Sequence, residues 1–328
     1  MQAIVQDRFG GSEVLELREV PRPVPGDGDV LVRVHAAGVD RGTWHIMVGL
    51  PLIARPMFGL RRPRNPTPGR DIAGVVEAVG AGVAAAAGGT AGFAIGDEVY
   101  GTADGGFAEW VVTTPGRLAP KPANLTFEQA AAVPVSALTA LQAVRDQAEV
   151  RPGQSVLVVG ASGGVGSFAV QIAKAFGAEV TGVASKGKLD LVRSLGADHV
   201  IDYTAEELPA DGRYDAILDI GGHRSLRVLR RALAPKGTLV IVGSETGDRF
   251  TGGIGRSIRA ALWSSFVGQR LKMFVSSERA VDLEALRELI EAGDMTPSIE
   301  RTWPLAETAA AIDHVADGRA RGKVVVTI

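Results

Sequence analysis

The sequence predicts an α/β protein in which a β-rich, barrel-like domain precedes a doubly wound domain built on a parallel sheet. Three observations support this prediction. Short apolar segments separated by Gly and Pro occupy about the first 115 residues, strands and helices alternate from about residue 124 onward, and a glycine-rich turn follows the first strand of that alternation. The length of 328 residues suits about two domains of ~150 residues each.

The β-rich head contains apolar or β-branched segments that we expect to form strands at residues 3–6, 30–35, 72–79, 98–100 and 107–112. Residues 47–70 interrupt this pattern, and their prolines exclude a long helix. We expect a surface loop or lid here, whose arginines either face an anionic substrate or cofactor phosphates or are simply solvated. The stretch contains Pro51, Pro56, Pro63, Pro66 and Pro68 together with Arg55, Arg61, Arg62 and Arg64.

Beyond residue 124 the predicted elements alternate, which indicates a parallel sheet covered on both faces. Strands are expected at residues 155–159, 179–184, 199–203, 216–220 and 238–242. Helices are expected at 127–148, with an interruption near Pro134, and at 164–176, 188–195 and 226–233. The tail offers helices at 283–292 and 306–315 and a last strand at 323–328.

Composition argues against several classes of function. The formal net charge of −2 gives no support for nucleic acid or an anionic membrane as a partner. The chain contains no cysteine, so thiolate nucleophiles, disulfides and cysteine-ligated zinc sites are excluded. Neither a signal peptide nor a membrane-spanning apolar run is recognisable. We therefore expect a cytoplasmic protein that acts on a small molecule.

The glycine-rich turn is the clearest chemical motif. The apolar strand at 155–159 leads into Gly160, Ala161, Ser162, Gly163, Gly164, Val165 and Gly166, and an amphipathic helix follows. Glycine lets the backbone approach a pyrophosphate closely, and the start of the helix offers unpaired N–H groups to the phosphates. Since the strand and the helix both stand in the required places, the motif predicts dinucleotide binding.

The end of the second strand indicates which dinucleotide binds. An NAD site usually carries Asp or Glu there to hold the ribose hydroxyls. This chain has Ser185, Lys186 and Lys188 instead, and ammonium groups suit the 2′-phosphate of NADP through charge-assisted hydrogen bonds. The alternative is that the lysines are ordinary surface residues. We favour NADP(H) as the cofactor.

Residues 153–174, including Gly153, Gln154, Gln171 and Lys174, resemble the signature of the quinone oxidoreductase and zeta-crystallin branch of the medium-chain dehydrogenase/reductase superfamily. Residues 68–80, 96–99, 130–134, 195–198 and 321–324 agree with that family. Residues 49–68 and 245–270 match it least. The second of these contains an apolar set that suits a helix face: Ile254, Ile258, Ala261, Leu262 and Phe266.

The resemblance implies a GroES-like catalytic domain (1–122), a Rossmann NADP-binding domain (123–270) and a segment that returns to complete the first domain (271–328). It further implies an active site in the cleft between the domains and a homodimeric assembly. By resemblance, Ser185, Lys188 and Tyr203 surround the 2′-phosphate and the adenosine. The nicotinamide side of the cofactor would be bordered by Thr139, Val242, Gly243, Phe274 and Val275.

Zinc-dependent members of the superfamily hold the metal with two cysteines and a His-Glu pair. By the family pattern, Asp40 and Val135 replace the cysteines, and Arg70-Asp71 replaces the pair. Arginine and valine do not ligate zinc, and the five histidines are scattered at His35, His45, His199, His223 and His314. The sequence therefore predicts no metal site.

Without a Lewis acid, hydride transfer to a quinone or an α,β-unsaturated carbonyl is easier than alcohol oxidation. Asp40 and His45 follow a strand that would lead into the cleft, and they are the candidate catalytic residues, although either could be structural. Tyr100 is expected to be a packed strand residue. Two other functions stay open: a metal-free alcohol or carbonyl dehydrogenase, and a non-catalytic NADPH-binding protein with a structural or regulatory task.

Overall fold

A computed structural model describes residues 1–85, 92–243, 249–264 and 267–328, without the side chains of residues 84, 85, 254 and 257. Its strands are β1 (Gln2–Val5), β2 (Glu16–Glu19), β3 (Val30–Val39), β4 (Asp71–Val79), β5 (Glu98–Thr102), β6 (Trp110–Thr113), β7 (Leu118–Pro120), β8 (Ser155–Val159), β9 (Glu179–Ala184), β10 (His199–Asp202), β11 (Tyr214–Asp219), β12 (Leu233–Ile241), β13 (Arg270–Met273), β14 (Ile299–Pro304) and β15 (Lys323–Thr327).

Its α-helices are α1 (Arg41–Val48), α2 (Arg55–Phe58), α3 (Ala81–Ala85), α4 (Phe127–Ala131), α5 (Pro134–Gln142), α6 (Gly164–Ala175), α7 (Leu189–Ser194), α8 (Leu226–Ala232), α9 (Ile254–Ser264), α10 (Ala280–Glu291) and α11 (Thr308–Ala316). The predicted interruption near Pro134 separates α4 from α5, because proline is accepted only in the first turn of a helix. None of the described helices combines the length and the apolar character needed to span a membrane.

The chain forms two compact units, one of Met1–Leu138 with Glu278–Ile328 and the other of Thr139–Ser277. Both boundaries lie further along the chain than the sequence suggests. Helix α4 packs against β3 and β4 and so stays with the first unit. The segment after β13 stays with the second unit, because Ser276 and Ser277 hydrogen-bond to Thr139 and Gln142.

The first unit is built on a mainly antiparallel sheet. Within the described residues the order is β14-β15-β3-β4-β5-β7, and β6 also pairs with β3. Strand β15 lies antiparallel to β3, with Val324 opposite Val39, and this pairing returns the C-terminal segment to the head of the chain. Buried valine, isoleucine and leucine side chains from β3, β4, β5 and β7 form its core. The predicted β-rich head is therefore confirmed.

One predicted strand, 107–112, starts later than expected. Phe107 and Ala108 do not extend β6, because Phe107 donates to Pro68 O at 3.1 Å and Ala108 forms a bridge with Ala3 of β1. These contacts connect the residues to another part of the unit. The regular ladder with β3 begins at Trp110.

The second unit contains a parallel sheet in the order β10-β9-β8-β11-β12-β13 among the described strands. This is the strand order of the dinucleotide-binding doubly wound fold, in which ligands bind beyond the carboxyl ends of the strands. Apolar residues of α8 and α9 pack on β8, β11 and β12 around Leu157, Ile217 and Leu239. The predicted Rossmann-type sheet is confirmed, and β13 is a strand that the sequence did not reveal.

Candidate active site

The glycine-rich turn lies between β8 and α6, at the carboxyl end of a central strand. Gly163 immediately precedes α6 and has an extended conformation (φ −87°, ψ 178°), and among the described residues no side chain caps the start of this helix. The first backbone N–H groups of a helix need partners from outside it. They therefore provide a ready site for an anionic group such as a phosphate.

Two glycines in this turn are required by close backbone contacts. Gly160 has φ +88°, and a Cβ at this position would lie 3.0 Å from the backbone N of Gly221. At Gly166 a Cβ would lie 2.0 Å from the carbonyl oxygen of Gly160, so no other residue fits without displacing the backbone. The turn is thus folded tightly on itself, and its residues Ala161 and Ser162 are buried.

The residues predicted to hold the 2′-phosphate lie close together in the backbone at the end of β9. Ser185 and Lys188 close a short turn, in which Lys188 N donates to Ser185 O at 2.8 Å. Lys186 is exposed, whereas Ser185 and Lys188 are half-buried. Tyr203 lies next to them, because its backbone N donates to Ala184 O at 3.2 Å. Its side chain is 53% exposed.

Asp202 is a residue of this region that sequence reasoning missed. It is the last residue of β10 and is buried, and its carboxylate accepts hydrogen bonds from the backbone N and the side chain of Thr204. The hydrogen bond from the Thr204 hydroxyl, together with smaller contributions that include Lys186, lowers the pKa of Asp202. A carboxylate therefore lies close to Lys186, which makes Lys188 the stronger candidate for holding a phosphate. The sequence did contain a signal for this residue, because Asp202 stands at the end of the predicted strand 199–203.

The turns after β11 and β12 lie side by side. The carbonyl of Asp219 accepts hydrogen bonds from Val242 N at 3.0 Å and Gly243 N at 3.1 Å. A Cβ at Gly243 would lie 2.0 Å from the carbonyl oxygen of Ile220. The two turns thus pack tightly at the same edge of the sheet as the glycine-rich turn.

The remaining residues predicted to border the nicotinamide lie near the segment that follows β13. Phe274 is half-buried and Val275 is 84% exposed. Thr139 is buried in α5, and its hydroxyl donates to Ser276 Oγ at 2.9 Å. Thr139 is therefore adjacent to this segment, and its contact with the nicotinamide stays a prediction.

A buried ion pair that the sequence did not indicate supports the turn after β11. The fully buried Asp219 carboxylate accepts hydrogen bonds from the Arg256 guanidinium and from Gly222 N, the latter at 3.2 Å. Burial raises the pKa of Asp219, and the adjacent Arg256 opposes that rise.

The apolar set predicted to form a helix face within residues 245–270 is largely exposed where it is described. Ile258, Ala261 and Leu262 are all exposed. The side chain of Ile254, together with Glu245 and Phe266, falls outside the described part of the chain.

In the first unit, Asp40 precedes α1 and caps that helix. Its Oδ1 accepts from Thr43 N at 2.9 Å, and its Oδ2 accepts from the Thr43 hydroxyl at 2.7 Å. Asp is among the best residues at this position, since its carboxylate satisfies N–H groups of the first helical turn. The capping role is evident, and the catalytic role of Asp40 stays a prediction.

His45 lies on α1 and is half-buried. Its ring meets that of Trp44 edge to face, with centroids 5.0 Å apart and planes at 70°. The α1 helix and the contact with Trp44 therefore hold His45 in a defined orientation. Its predicted role as a proton donor is compatible with this partial exposure.

Tyr100 is fully buried in β5, as expected for a packed strand residue. Its hydroxyl donates to Leu283 O at 2.6 Å, and burial raises its pKa far above the usual range.

Arg70 belongs to a cluster around Glu278. The Glu278 carboxylate accepts hydrogen bonds from Arg70, from Arg117 Nη2 at 2.6 Å and from the Thr102 hydroxyl at 2.9 Å. Arg70 Nε is buried and has no hydrogen-bond partner among the described residues. Glu278 was missed by sequence reasoning, because its partners lie far away along the chain.

Asp71 forms a second, fully buried cluster. Its Oδ2 accepts from Lys323 Nζ at 3.0 Å and its Oδ1 accepts from Val135 N at 2.7 Å, while Lys323 also donates to Ser136 Oγ at 3.0 Å. Burial raises the pKa of Asp71 to about 6, although Lys323 opposes the rise. Both side chains are almost inaccessible to solvent.

The first unit also contains a cavity of about 220 Å³ between α1 and the Arg/Pro-rich stretch. Gln6 is one of its buried lining residues, and its Nε2 donates to Met47 O at 3.1 Å. The polar lining consists of Gln6, Thr43, Arg64, Asn65, Thr67, Arg70 and Asp104. The apolar lining includes Ile46, Met47, Met57, Phe58, Pro63 and Pro68.

Comparison with known proteins places this geometry in a family. Residues 26–123 match the model described as "Alcohol dehydrogenase GroES-like domain", and residues 195–326 match the one described as "Zinc-binding dehydrogenase". The chain is 35% identical to NAD(P)H oxidoreductase RTN4IP1, mitochondrial, from Mus musculus, over 100% of this chain and 89% of that protein. It is 33% identical to the quinone oxidoreductase of Homo sapiens, over 100% of this chain and 98% of that protein. The chain belongs to the quinone oxidoreductase branch of the medium-chain dehydrogenase/reductase superfamily.

Solved structures agree with this family. The quinone oxidoreductase from Coxiella burnetii superposes with a TM-score of 0.84 at 28% identity, over 100% of this chain and 99% of that one. The mycobacterial protein Rv1454c, solved in complex with NADPH, gives a TM-score of 0.82 at 25% identity and full coverage of both chains. This medium-chain dehydrogenase/reductase is thus an oxidoreductase of an NAD(P)H-dependent family.

By the family pattern, four residues of this member replace the zinc ligands of zinc-dependent medium-chain dehydrogenases, and three of them have other partners. Asp40 caps a helix, Arg70 is paired with Glu278, and Asp71 is paired with Lys323. Val135 offers no ligand atom in its side chain. Among the described residues, no cluster of three or more His, Cys, Asp or Glu side chains is arranged to hold a metal ion.

Proposed function

We propose that this medium-chain dehydrogenase/reductase is an NADPH-dependent, zinc-independent reductase of quinones or α,β-unsaturated carbonyl compounds. The observation that carries the proposal is the combination of an uncapped helix start after β8 with Ser185 and Lys188 at the end of β9. The first feature suits a pyrophosphate, and the second suits a 2′-phosphate.

NADPH supplies the hydride when it is bound. The residues of the chain would hold it in place: the first turn of α6 would bind the pyrophosphate, and Lys188 would bind the 2′-phosphate. The neighbouring turns at Val242-Gly243 and the segment at Phe274-Val275 would border the nicotinamide. Orientation of this kind accounts for much of the rate enhancement in hydride transfer, because the reacting atoms must approach to roughly 3–3.5 Å.

Zinc independence follows from the residues that stand in place of the ligands. A guanidinium at Arg70 and a valine at position 135 do not coordinate zinc, so alkoxide stabilisation by a Lewis acid has no support here. Reduction of an activated acceptor requires only that the developing enolate or hydroquinone oxygen receive a proton. We assign that proton transfer to His45, with Asp40 fixing the helix that carries it.

The direct test is consumption of NADPH by the purified protein with a panel of quinones, enones and simple ketones. NADH runs in parallel, and a chelator is added to one set. We expect turnover of quinones or enones with NADPH, little with ketones, and no loss of activity with the chelator. Turnover of ketones or alcohols would favour a carbonyl or alcohol dehydrogenase instead. Tight NADPH binding without turnover of any acceptor would favour a structural or regulatory protein.

A homodimeric state and a cytoplasmic location complete the proposal. Light scattering of the purified chain tests the first, and the distribution of the tagged protein between cell fractions tests the second. A monomer, or accumulation within an organelle, would contradict the respective part.

A further inference from the structure

The cavity of the first unit has an uncompensated positive charge. Two of its lining arginines, Arg64 and Arg70, face a single lining carboxylate, Asp104. Asp104 is paired with Arg117 at 3.1 Å, and Arg70 is paired with Glu278. Arg64 donates to the carbonyl of Pro56 at 3.3 Å and, among the described residues, has no carboxylate within ion-pair distance. Its charge therefore remains available to a ligand.

The backbone fixes Arg64 at the rim of this cavity. Its N–H donates to Phe58 O at 2.7 Å and closes a turn through Gly59. Gly59 has φ +123°, and a Cβ there would lie 2.0 Å from the carbonyl oxygen of Arg62. Only glycine fits this turn without a shift of the backbone. The Arg/Pro-rich stretch is thus a shaped wall of the cavity, and Arg64 has a defined place on it.

Arg70 provides a second observation that points to a ligand. Its Nε is buried and lacks a partner among the described residues, although Arg70 lines the cavity. A buried N–H group without a hydrogen bond is unfavourable. A ligand with a hydrogen-bond acceptor therefore suits this lining better than a purely apolar one.

The size and the apolar lining limit the ligand further. A cavity of about 220 Å³ exceeds the ~150 Å³ that accommodates benzene in an engineered protein core, so a single ring with one substituent fits. Ile46, Met57 and Phe58 supply apolar surface for the ring. Steroids or other large polycyclic compounds would not fit within it.

We propose that this cavity binds the carboxylate end of a ring-sized substrate, and that Arg64 is the residue that selects the carboxylate. This inference rests on the proposed reductase function for the identity of the reacting group: an enone that carries a carboxylate at its far end. The binding site itself stands without that function, because carboxylate recognition by a guanidinium needs no turnover.

Binding of benzoate and of its neutral counterpart benzamide to the full chain tests the site directly by titration calorimetry. We expect benzoate to bind at least ~10-fold more tightly than benzamide, with a preference that weakens as salt is added. Arg64→Gln should abolish the preference, and Arg64→Lys should retain part of it. Arg61→Gln is the matched control, since Arg61 is exposed in the same stretch and does not line the cavity. Equal affinity for the two ligands, or the same loss in both Gln variants, would overturn the proposal.

Turnover of a para-carboxylated benzylideneacetone and of its para-carboxamide separates this inference from the proposed function. We expect Arg64→Gln to raise KM for the carboxylate about ten-fold and to leave that for the amide unchanged. If benzoate binds as expected but neither enone is reduced, the reductase function fails and the carboxylate site stands. If both enones are reduced with equal KM by the unaltered protein, the carboxylate site fails and the reductase function stands.

Discussion

At the scale of single residues, Lys188 tests the choice of cofactor. It is half-buried at the end of β9, where its ammonium group would meet a 2′-phosphate. Lys188→Glu reverses the charge, and we expect NADPH affinity to fall by ~10- to 100-fold while NADH affinity changes little. Fluorescence titration with both cofactors measures this effect. The control is Lys236→Glu, an exposed lysine at the opposite end of the sheet. Unchanged NADPH affinity in Lys188→Glu would mean that the 2′-phosphate binds elsewhere.

His45 is the second residue whose role can be measured. If it delivers a proton to the reduced substrate, His45→Asn should lower kcat by ~100-fold or more and leave the affinity for NADPH unchanged. His199→Asn is a suitable control, because His199 is exposed at the start of β10 and pairs with Glu179. A kcat equal to that of the unaltered protein would remove His45 from the mechanism.

The buried pair of Asp71 and Lys323 is expected to matter for stability. Asp71→Asn leaves the Lys323 ammonium buried without its counter-ion, so we expect the free energy of unfolding to fall by about 3–5 kcal/mol. The double variant Asp71→Asn with Lys323→Met removes both charges and should recover part of that loss. Denaturant unfolding of the unaltered protein, the single variant and the double variant measures their order of stability. A double variant less stable than Asp71→Asn would contradict it.

The same pair gives this prediction a pH dependence. Burial raises the pKa of Asp71 from 3.8 to about 6, so between these values the folded chain holds a proton that the unfolded chain has lost. The contribution of Asp71 to stability therefore decreases as pH rises from about 4 to about 6. Relative to the double variant, the unaltered protein should lose stability across this window. A constant difference between the two would show that Asp71 has the same pKa in both states.

At the scale of elements, the turn between β8 and α6 restricts the sequence most strongly, because its backbone leaves no room for a side chain at position 166. A Cβ at Gly166 would lie 2.0 Å from Gly160 O, so Gly166→Ala should displace the turn and weaken cofactor binding ~10-fold or more. Gly255→Ala is the control, since a Cβ there meets nothing within 4 Å and α9 should tolerate alanine. NADPH titration and thermal unfolding measure both variants. Normal NADPH binding by Gly166→Ala would show that the turn does not contact the cofactor.

Elements with a strong local sequence pattern could be predicted, whereas elements that are recognisable only from their pairing with another strand could not. The strands β8, β9 and β11 are apolar runs between turn residues, and the sequence alone located them. Helix α1 was missed because it is short and contains Gly42 and a β-branched Thr43. Its one signal was Asp40 placed three residues before Thr43, which is the spacing of a capping interaction. Strand β13 is recognisable only from its pairing with β12.

At the scale of the whole molecule, the parts that escaped prediction are contacts between distant segments. Lys323 and Asp71 are 252 residues apart, and Glu278 reaches back to Arg70 over 208 residues. No local pattern specifies such pairs, because they depend on the return of the C-terminal segment to the first sheet. The residues proposed to bind the cofactor could be chosen from the glycines and lysines in sequence order. The cavity of the first unit could not be predicted, since it is assembled from α1, the Arg/Pro-rich stretch and the turn at Asp104-Gly105.

The proposed reaction moves a hydride from bound NADPH to a carbon of an activated acceptor. Single-turnover reduction of an enone by NADPH that carries deuterium at both nicotinamide C4 positions tests it most directly, with mass spectrometry of the product. We expect one deuterium on the β-carbon of the saturated product. With unlabelled NADPH in deuterated solvent we expect none on the β-carbon, because solvent deuterium enters at the α-carbon. Consumption of NADPH without transfer of deuterium to the product, or no reduction of any enone or quinone offered, would contradict the proposal.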